Sequence, residues 1–251
     1  MLLFEDREDA AKQLARRLKE EWLDKRYNAK DKQQQQQQSN NNNNNIIVLA
    51  IPRGGVVIGD VISKILDAKL DVIVSRKIGA PTNPELAIGA IMPDGSYFLN
   101  KDIVNMLNVP QSYVIEQANI QKKEIERRLM SFRGERGISK EGKDVFDYDN
   151  NNNNFEGKIV ILVDDGIATG ATILSAAHWL KTKQNCCKML IVAVPVAPPD
   201  TVNEIKEISD KVIVLYSPEL FGSVGQFYKN FEQVSDNEVR EIMNRHGYGP
   251  L

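Results

Sequence analysis

Along most of the chain, short apolar runs alternate with segments in which apolar residues recur every three or four positions. The run at 46–51 is rich in β-branched residues, which is typical of a strand buried on both faces. Repeated alternation of such strands with helices predicts an α/β fold, in which a mostly parallel sheet carries helices on both faces. The predicted strands are 46–51, 70–74, 158–164, 189–194 and 212–216, the predicted helices are 56–66, 114–132, 171–181 and 201–208, and a hairpin is predicted from 88–92 and 97–99.

Segments outside this alternation are predicted to form a cap and two inserts. The segment 6–25 opens with acids and has apolar residues at helical spacing, so we expect an amphipathic helix there. The segments 1–29 and 217–251 are expected to form a small cap, or hood, on a single domain that covers the whole chain. The polar tracts at 30–45 and about 142–154 contain long runs of Gln or Asn, which cannot bury surface. We expect them to be disordered loop inserts without a function of their own.

Composition limits the classes of partner. The 251 residues carry a net charge of −2 and no long Lys or Arg run, which argues against binding to duplex nucleic acid. The two cysteines, Cys186 and Cys187, are adjacent and cannot form a disulfide framework, which indicates a reducing compartment. The longest apolar stretch, near 189–197, is about half a membrane span, and the apolar start is too short for a signal peptide. We therefore expect a cytoplasmic protein that binds no membrane.

The segment most informative about chemistry follows the strand at 158–164. This strand delivers two carboxylates, Asp164 and Asp165, and a loop of small residues then runs from Gly166 to Thr172 into a helix. Small residues let backbone N–H groups approach a phosphate, the helix N-terminus favours the anion, and threonine hydroxyls can donate to it. The carboxylates cannot bind that phosphate themselves, but they suit ribose hydroxyls or a Mg²⁺ ion.

Other phosphate loops fit this sequence poorly. A Walker loop ends in Gly-Lys-Ser/Thr, but Ala171 follows Gly170, and the segment 52–55 does not supply the Gly-x-Gly-x-x-Gly of a dinucleotide-binding turn. The acidic pair with the glycine after it could also be an ordinary turn that caps a helix. The full combination of acid pair, small-residue loop and threonines after a buried strand is far more specific than such a turn.

The string Val163-Asp-Asp-Gly-Ile-Ala-Thr-Gly-Ala-Thr172 resembles the phosphoribosyl-pyrophosphate (PRPP) motif of the type I phosphoribosyltransferases. Further segments are similar to a bacterial-type predicted phosphoribosyltransferase subfamily, so the resemblance covers most of the chain apart from the two inserts. These further segments are 52–55, 76–81, 83–90, 224–228 and 233–236. The resemblance implies the Rossmann-like α/β fold of that family, but it does not indicate the acceptor substrate.

In this resemblance, the acidic pair and the loop after it bind the donor. Asp164 and Asp165 would hold the ribose 2- and 3-hydroxyls of PRPP, and they are also the candidate ligands of Mg²⁺, directly or through ribose and water. The loop would cradle the 5-phosphate. Its candidate residues are Gly166, Ile167, Ala168, Thr169, Gly170, Ala171 and Thr172.

Two basic segments match the pyrophosphate-binding parts of the family. Arg53, Gly54 and Gly55 match the loop whose backbone amides face the leaving group, often across a non-proline cis peptide bond. Arg76 and Lys77 match a basic pair that contacts pyrophosphate, although alone they would be an ordinary solvated pair. Departure of pyrophosphate builds positive charge on the sugar and negative charge on the leaving oxygens, so acids near the ring and cations near the pyrophosphate suit the reaction. The catalytic candidates are therefore Asp164, Asp165, Arg76 and Lys77.

The acceptor side of the site is less well defined by the sequence. A planar base would stack on an aromatic ring of the cap, and Phe221, which follows the strand at 212–216, is the candidate; Phe227, Tyr228 and Phe231 have the spacing of a helix packing face. The loop 79–85 matches the mobile loop that closes over the site in the family. Its Glu85 could be a base toward the acceptor, but a helix cap is the favoured interpretation.

The hypothesis is that the protein binds PRPP with Mg²⁺ and transfers the phosphoribosyl group to or from an unidentified nitrogenous base. Members of the family are commonly dimers, so a homodimer is expected. The alternatives are a regulatory protein that senses PRPP or a nucleotide without turnover, and a hydrolase or phosphorylase of sugar phosphates. The regulatory alternative lacks support from a DNA-reading segment or a basic stripe.

Overall fold

The computed structural model describes residues 2–23, 45–134, 155–182 and 187–249, so the predicted inserts lie outside the described residues except for Asn45. The described strands are β1 (Ile46–Ala50), β2 (Lys69–Val72), β3 (Arg76–Ala80), β4 (Asn83–Ile91), β5 (Tyr97–Leu99), β6 (Ile159–Val163), β7 (Met189–Val196) and β8 (Lys211–Tyr216). The described helices are α1 (Arg7–Leu18), α2 (Gly54–Leu66), α3 (Lys101–Met106), α4 (Gln111–Arg133), α5 (Ala171–Thr182), α6 (Pro199–Ile208) and α7 (Asp236–Arg245). A π-helical turn, Lys19–Leu23, follows α1, and a 3₁₀ turn, Val224–Phe227, precedes α7.

Five strands form a parallel sheet in the order β2-β1-β6-β7-β8. The chain moves from β1 outward to β2 on one side and from β6 outward to β8 on the other, so the strand order reverses between β1 and β6. Ligands of open α/β sheets bind beyond the carboxyl ends of the strands at such a switch point. The loops that follow β1 and β6 are therefore the place to look for a site.

Alternate residues of the central strands enter two separate cores, because side chains alternate between the faces of a sheet. Ile161 and Val163 of β6 join the core beneath α1, α2 and α7, whereas Val160 and Leu162 join the core beneath α5 and α6. All four side chains are fully buried. Helices on both faces of a parallel sheet confirm the fold class predicted from the sequence.

A second sheet, antiparallel and formed by β3, β4 and β5, was only partly predicted. The β4–β5 hairpin was expected, but β3 and the first half of β4 were interpreted as loop. The segment 83–86 is exposed, and Pro84 within it is unfavourable for strand formation, so the apolar pattern of a strand is missing there. Helix α3 was also missed, because none of its six residues is buried.

The two ends of the chain pair with each other. Phe4 forms a β-bridge with Tyr228, and the backbone N–H groups of Leu3 and Phe4 both donate to the carbonyl oxygen of Phe227, at 2.9 and 3.0 Å. The described parts of the two terminal segments thus contact each other, while a cap formed from 1–29 and 217–251 stays a prediction. Helix α1 itself packs against α2 and against β7 and β8, so it belongs to the helical layer of the main sheet.

Two buried carboxylates link elements of the fold, one between a helix and the sheet and one between two helices. Asp71 of β2 accepts two hydrogen bonds from Arg133 at the end of α4, and both side chains are almost fully buried. Asp60 of α2 accepts a hydrogen bond from Arg245 of α7. Oδ1 of Asp60 lies 2.6 Å from Nε2 of His246. No helix within the described residues is long and apolar enough to cross a membrane.

Candidate functional site

The turn after β1 lies directly against the acidic pair after β6. A Cβ atom added to Gly54 would lie 1.8 Å from Oδ2 of Asp165, and one added to Gly55 would lie 2.9 Å from Cα of Asp164. Only glycine permits this approach. The peptide bond between Pro52 and Arg53 is cis, as the family resemblance implies. The structure therefore brings together the segments that sequence reasoning assigned to ribose and to pyrophosphate.

The two carboxyl groups of the acidic pair are half-buried and lie next to each other. The backbone N–H of Asp165 donates to Oδ1 of Asp164 at 2.8 Å. Burial raises the pKa of the Asp164 carboxyl well above its usual range, and the charge of Asp165 raises it further. Burial also raises the pKa of Asp165, and Arg7 opposes that effect. Nε of Arg7 donates to Oδ2 of Asp165 at 2.7 Å, so Asp165 is an ion-pair partner as well as a cavity residue.

The loop after the acidic pair offers free backbone donors. Within the described residues, no hydrogen bond occupies the backbone N–H groups of 168–172. Gly170 has a φ of +77°, in the left-handed region that favours glycine, and its carbonyl accepts from Leu174 N–H as α5 begins. The N–H of Ile167 instead donates to the carbonyl oxygen of Val196, at 2.9 Å. Of the predicted phosphate-binding residues, Ile167 is thus the one whose amide is already used.

A cavity of about 320 Å³ opens beside Asp165. The guanidinium carbon of Arg7 lies 3.8 Å from the ring centroid of Phe231, which also faces this cavity. Phe221, the predicted stacking residue, is not part of the cavity wall and packs against Phe227 at 5.1 Å between ring centroids. Phe231 is therefore the aromatic residue of the cavity wall, whereas Tyr228 contacts the acidic pair outside that wall, where its hydroxyl donates to the carbonyl oxygen of Asp165. The cavity is lined by Arg7, Arg53, Gly54, Asp165, Phe231, Gln233 and Val234.

The predicted basic pair lies on the second sheet, away from the cavity wall. Arg76 begins β3, and its Nε donates to Oε1 of Gln121 at 3.0 Å. Lys77 is exposed and pairs with Glu85 across the β3–β4 hairpin, with 2.8 Å between Nζ and Oε2. The interpretation of Glu85 as a helix cap is wrong, because the residue lies in strand β4. Of the predicted pyrophosphate-binding cations, only Arg53 lines the cavity.

Sequence reasoning missed Arg7 and gave no role to Phe231, Gln233 or Val234. Arg7 carries a weak sequence signal, because a base at the first position of a helix opposes the helix dipole. The segment that contains Gln233 and Val234 was recognised as part of the family resemblance, without a function. All four residues reach the site through contacts between the two ends of the chain, and periodicity cannot predict such contacts.

Comparison with known proteins gives the family. The profile of the phosphoribosyl transferase domain matches residues 28–228 of the chain. Two curated proteins from strains of Mycobacterium tuberculosis, whose names describe them provisionally as phosphoribosyl transferases, are each 36% identical over 245 residues. These matches cover 98% of this chain and 47% of each relative, so the chain spans about half the length of the curated relatives it matches.

A solved structure shares the whole fold. The crystal structure of a protein from Thermus thermophilus is 30% identical, has a TM-score of 0.70, and is matched over 97% of this chain and 99% of its own length. The match therefore covers almost the whole length of both chains.

Proposed function

The chain belongs to the phosphoribosyl transferase family, and we propose that it binds PRPP with Mg²⁺ and transfers the phosphoribosyl group to or from a nitrogenous base, with pyrophosphate as the second product or substrate. The close approach of the turn at Gly54 and Gly55 to Asp164 and Asp165 carries this proposal. It unites a candidate leaving-group loop and candidate ribose-binding acids at one switch point of the sheet.

The loop after β6 suits the 5-phosphate of the donor. Its free N–H groups at 168–172 lie at the start of α5, where the helix dipole favours an anion. Thr169 and Thr172 are exposed and add hydroxyl donors. In this proposal the loop fixes one end of the sugar, and the acidic pair accepts hydrogen bonds from the ribose hydroxyls.

The charges around the cavity match the direction in which charge develops. When the bond from C1 of ribose to the pyrophosphate oxygen breaks, the electron pair leaves with pyrophosphate and the ring becomes positive. Asp165 then lies on the side of the ring, and Arg53, which lines the same cavity, stabilises the leaving anion. Nη1 of Arg53 lies 3.5 Å from Oδ1 of Asp236, and 37% of the Arg53 side chain is exposed. An exposed ion pair of this kind is weak, so the guanidinium is free to turn toward an anion.

The acidic pair also fits a magnesium ion. Mg²⁺ is commonly bound through one or two carboxylates together with substrate phosphates and water, and no three-residue set of His, Cys, Asp or Glu in the described parts of the chain would hold it alone. Asp164 and Asp165 are the residues that would hold the ion with the donor. When bound, it supplies positive charge that neutralises the pyrophosphate. A nearby cation also favours the ionised form of two carboxylates whose pKa values are raised by burial.

Pyrophosphate release, measured with PRPP, Mg²⁺ and a panel of purines and pyrimidines, tests the proposal. Release that depends on one class of base is the expected result. Pyrophosphate release without any base would indicate a hydrolase instead of a transferase. PRPP binding without release across the panel would replace it with a sensor, and absence of PRPP binding would refute the site.

A further inference from the structure

Arg7 contacts Asp165, Phe231 and Glu232 at once, and the last two lie near the other end of the chain. It is the first residue of α1, where the positive end of the helix dipole disfavours a base. Its Nε donates to Oδ2 of Asp165, its Nη1 donates to the carbonyl oxygen of Glu232 at 2.8 Å, and its guanidinium stacks on Phe231. Only 11% of its side chain is exposed. The position is therefore explained by its contacts with the site rather than by the helix.

Without Arg7, the Asp165 carboxylate would lack a cationic partner. Asp164, the other acid of the pair, is adjacent in the chain, and both acids are half-buried. Within the part of the chain that the structure describes, Arg7 forms the ion pair with Asp165, while Arg53, the other cavity cation, pairs with Asp236. The hydrogen bond from Nε of Arg7 to Oδ2 is therefore the contact that fixes the direction of the Asp165 carboxylate.

The ion pair leaves Asp165 able to bind a ligand. Arg7 takes only Oδ2, and a carboxylate has about four lone-pair sites. Asp165 still lines the cavity together with Arg7. The hydrogen bond from Arg7 to the Glu232 carbonyl oxygen and the stacking of Arg7 on Phe231 hold the planar guanidinium in one orientation. This orientation sets the direction of Nε, and therefore the plane in which the Asp165 carboxylate is held.

We propose that Arg7 is a positioning residue, which holds the Asp165 carboxylate in the orientation that accepts hydrogen bonds from the ribose hydroxyls of the donor. This inference rests on the proposed function, because it takes Asp165 to be the ribose-binding acid. Arg7 acts through Asp165 and does not itself touch the reacting atoms.

Two ligands separate this role from a purely structural one. Ribose 5-phosphate needs both the loop 166–172 and the acidic pair, whereas inorganic phosphate needs the loop alone. Calorimetry should show that Arg7→Gln weakens ribose 5-phosphate binding by about tenfold or more, the equivalent of one hydrogen bond to a charged group, and leaves phosphate binding unchanged. Arg7→Lys, which keeps the charge, should recover part of the loss. The matched control is Arg16→Gln, because Arg16 is exposed on the same helix, and it should bind both ligands like the wild type.

Each remaining outcome has a definite meaning. If Arg7→Gln binds ribose 5-phosphate as tightly as the wild type, or more tightly, Arg7 does not position the acid and the inference is wrong. If both Arg7 variants lose phosphate as well as ribose 5-phosphate, Arg7 serves only the fold and the inference is also wrong. If the wild-type protein binds neither ligand, the proposed function has failed, independently of Arg7.

Discussion

Replacing Gly54 with alanine should disrupt the site from the side of the first turn. The added Cβ would lie 1.8 Å from Oδ2 and 2.4 Å from Cγ of Asp165. Carbon–oxygen contacts are normally about 3.3–3.6 Å, so the carboxylate must move by about 1.5 Å. That movement separates it from Nε of Arg7, now 2.7 Å away. Loss of this charged hydrogen bond lowers the free energy of unfolding by about 1.5–3 kcal/mol, whereas the higher helix propensity of alanine raises it by about 0.5–1 kcal/mol.

Urea denaturation and calorimetry measure the two expected effects of Gly54→Ala. The free energy of unfolding should fall by about 1–2 kcal/mol, and ribose 5-phosphate should bind at least about tenfold more weakly. The matched control is Gly222→Ala, whose new Cβ would meet only the flexible end of Gln226, at 2.9 Å from its Oε1. This control should change stability by less than about 0.5 kcal/mol. Unchanged affinity in Gly54→Ala would refute the close contact between the turn and the acid.

Three further predictions concern the framework of the site. Arg133→Met leaves Asp71 charged and buried without its ion-pair partner, so urea denaturation should show a loss of about 3–5 kcal/mol; a loss below about 1 kcal/mol would contradict the buried pair. Gly170→Ala puts a Cβ 2.5 Å from Cγ2 of Thr201, at a residue whose φ of +77° disfavours alanine. Phosphate binding should therefore weaken, and the free energy of unfolding should fall by about 1–2 kcal/mol. Tighter phosphate binding would contradict the assignment of this loop to phosphate. Burial raises the pKa of Asp60, but hydrogen bonds from three basic side chains lower it overall. The free energy of unfolding should therefore fall as the pH drops below about 4, the pKa of an unfolded aspartate. In acid denaturation, Asp60→Asn should make the free energy of unfolding depend less steeply on pH.

The sequence predicts the main sheet well, because its strands are buried on both faces. Each of β1, β6 and β7 has a run of apolar residues with no polar interruption, and helical spacing follows each run. The chemistry at the strand ends was also predictable, because the acids and the glycine turn are local motifs. Their direct contact could be inferred only from the rule that ligand sites lie beyond the carboxyl ends of parallel strands.

The missed parts of the site depend on contacts between distant residues. Arg7 and Asp165 are 158 positions apart, and no local pattern encodes their ion pair. Phe231 was grouped with Phe227 and Tyr228 as a helix packing face, but the chain after the 3₁₀ turn at Val224–Phe227 is irregular. The ring of Phe231 packs against that of Tyr228, at 4.9 Å between centroids, without a helix that joins them. The basic pair that begins β3 lies on the second sheet, outside the cavity wall, and its contact with pyrophosphate stays a prediction from the family resemblance.

Titration of PRPP with Mg²⁺ into the wild-type protein and into Asp165→Asn tests whether the acidic pair binds the donor. The substitution keeps the size of the side chain and removes the charge that pairs with Arg7 and accepts from the ribose hydroxyls. The wild-type protein should bind clearly, and the variant should bind at least about tenfold more weakly. Equal binding by the two proteins, or no binding by the wild type, would show that the acidic pair does not bind PRPP.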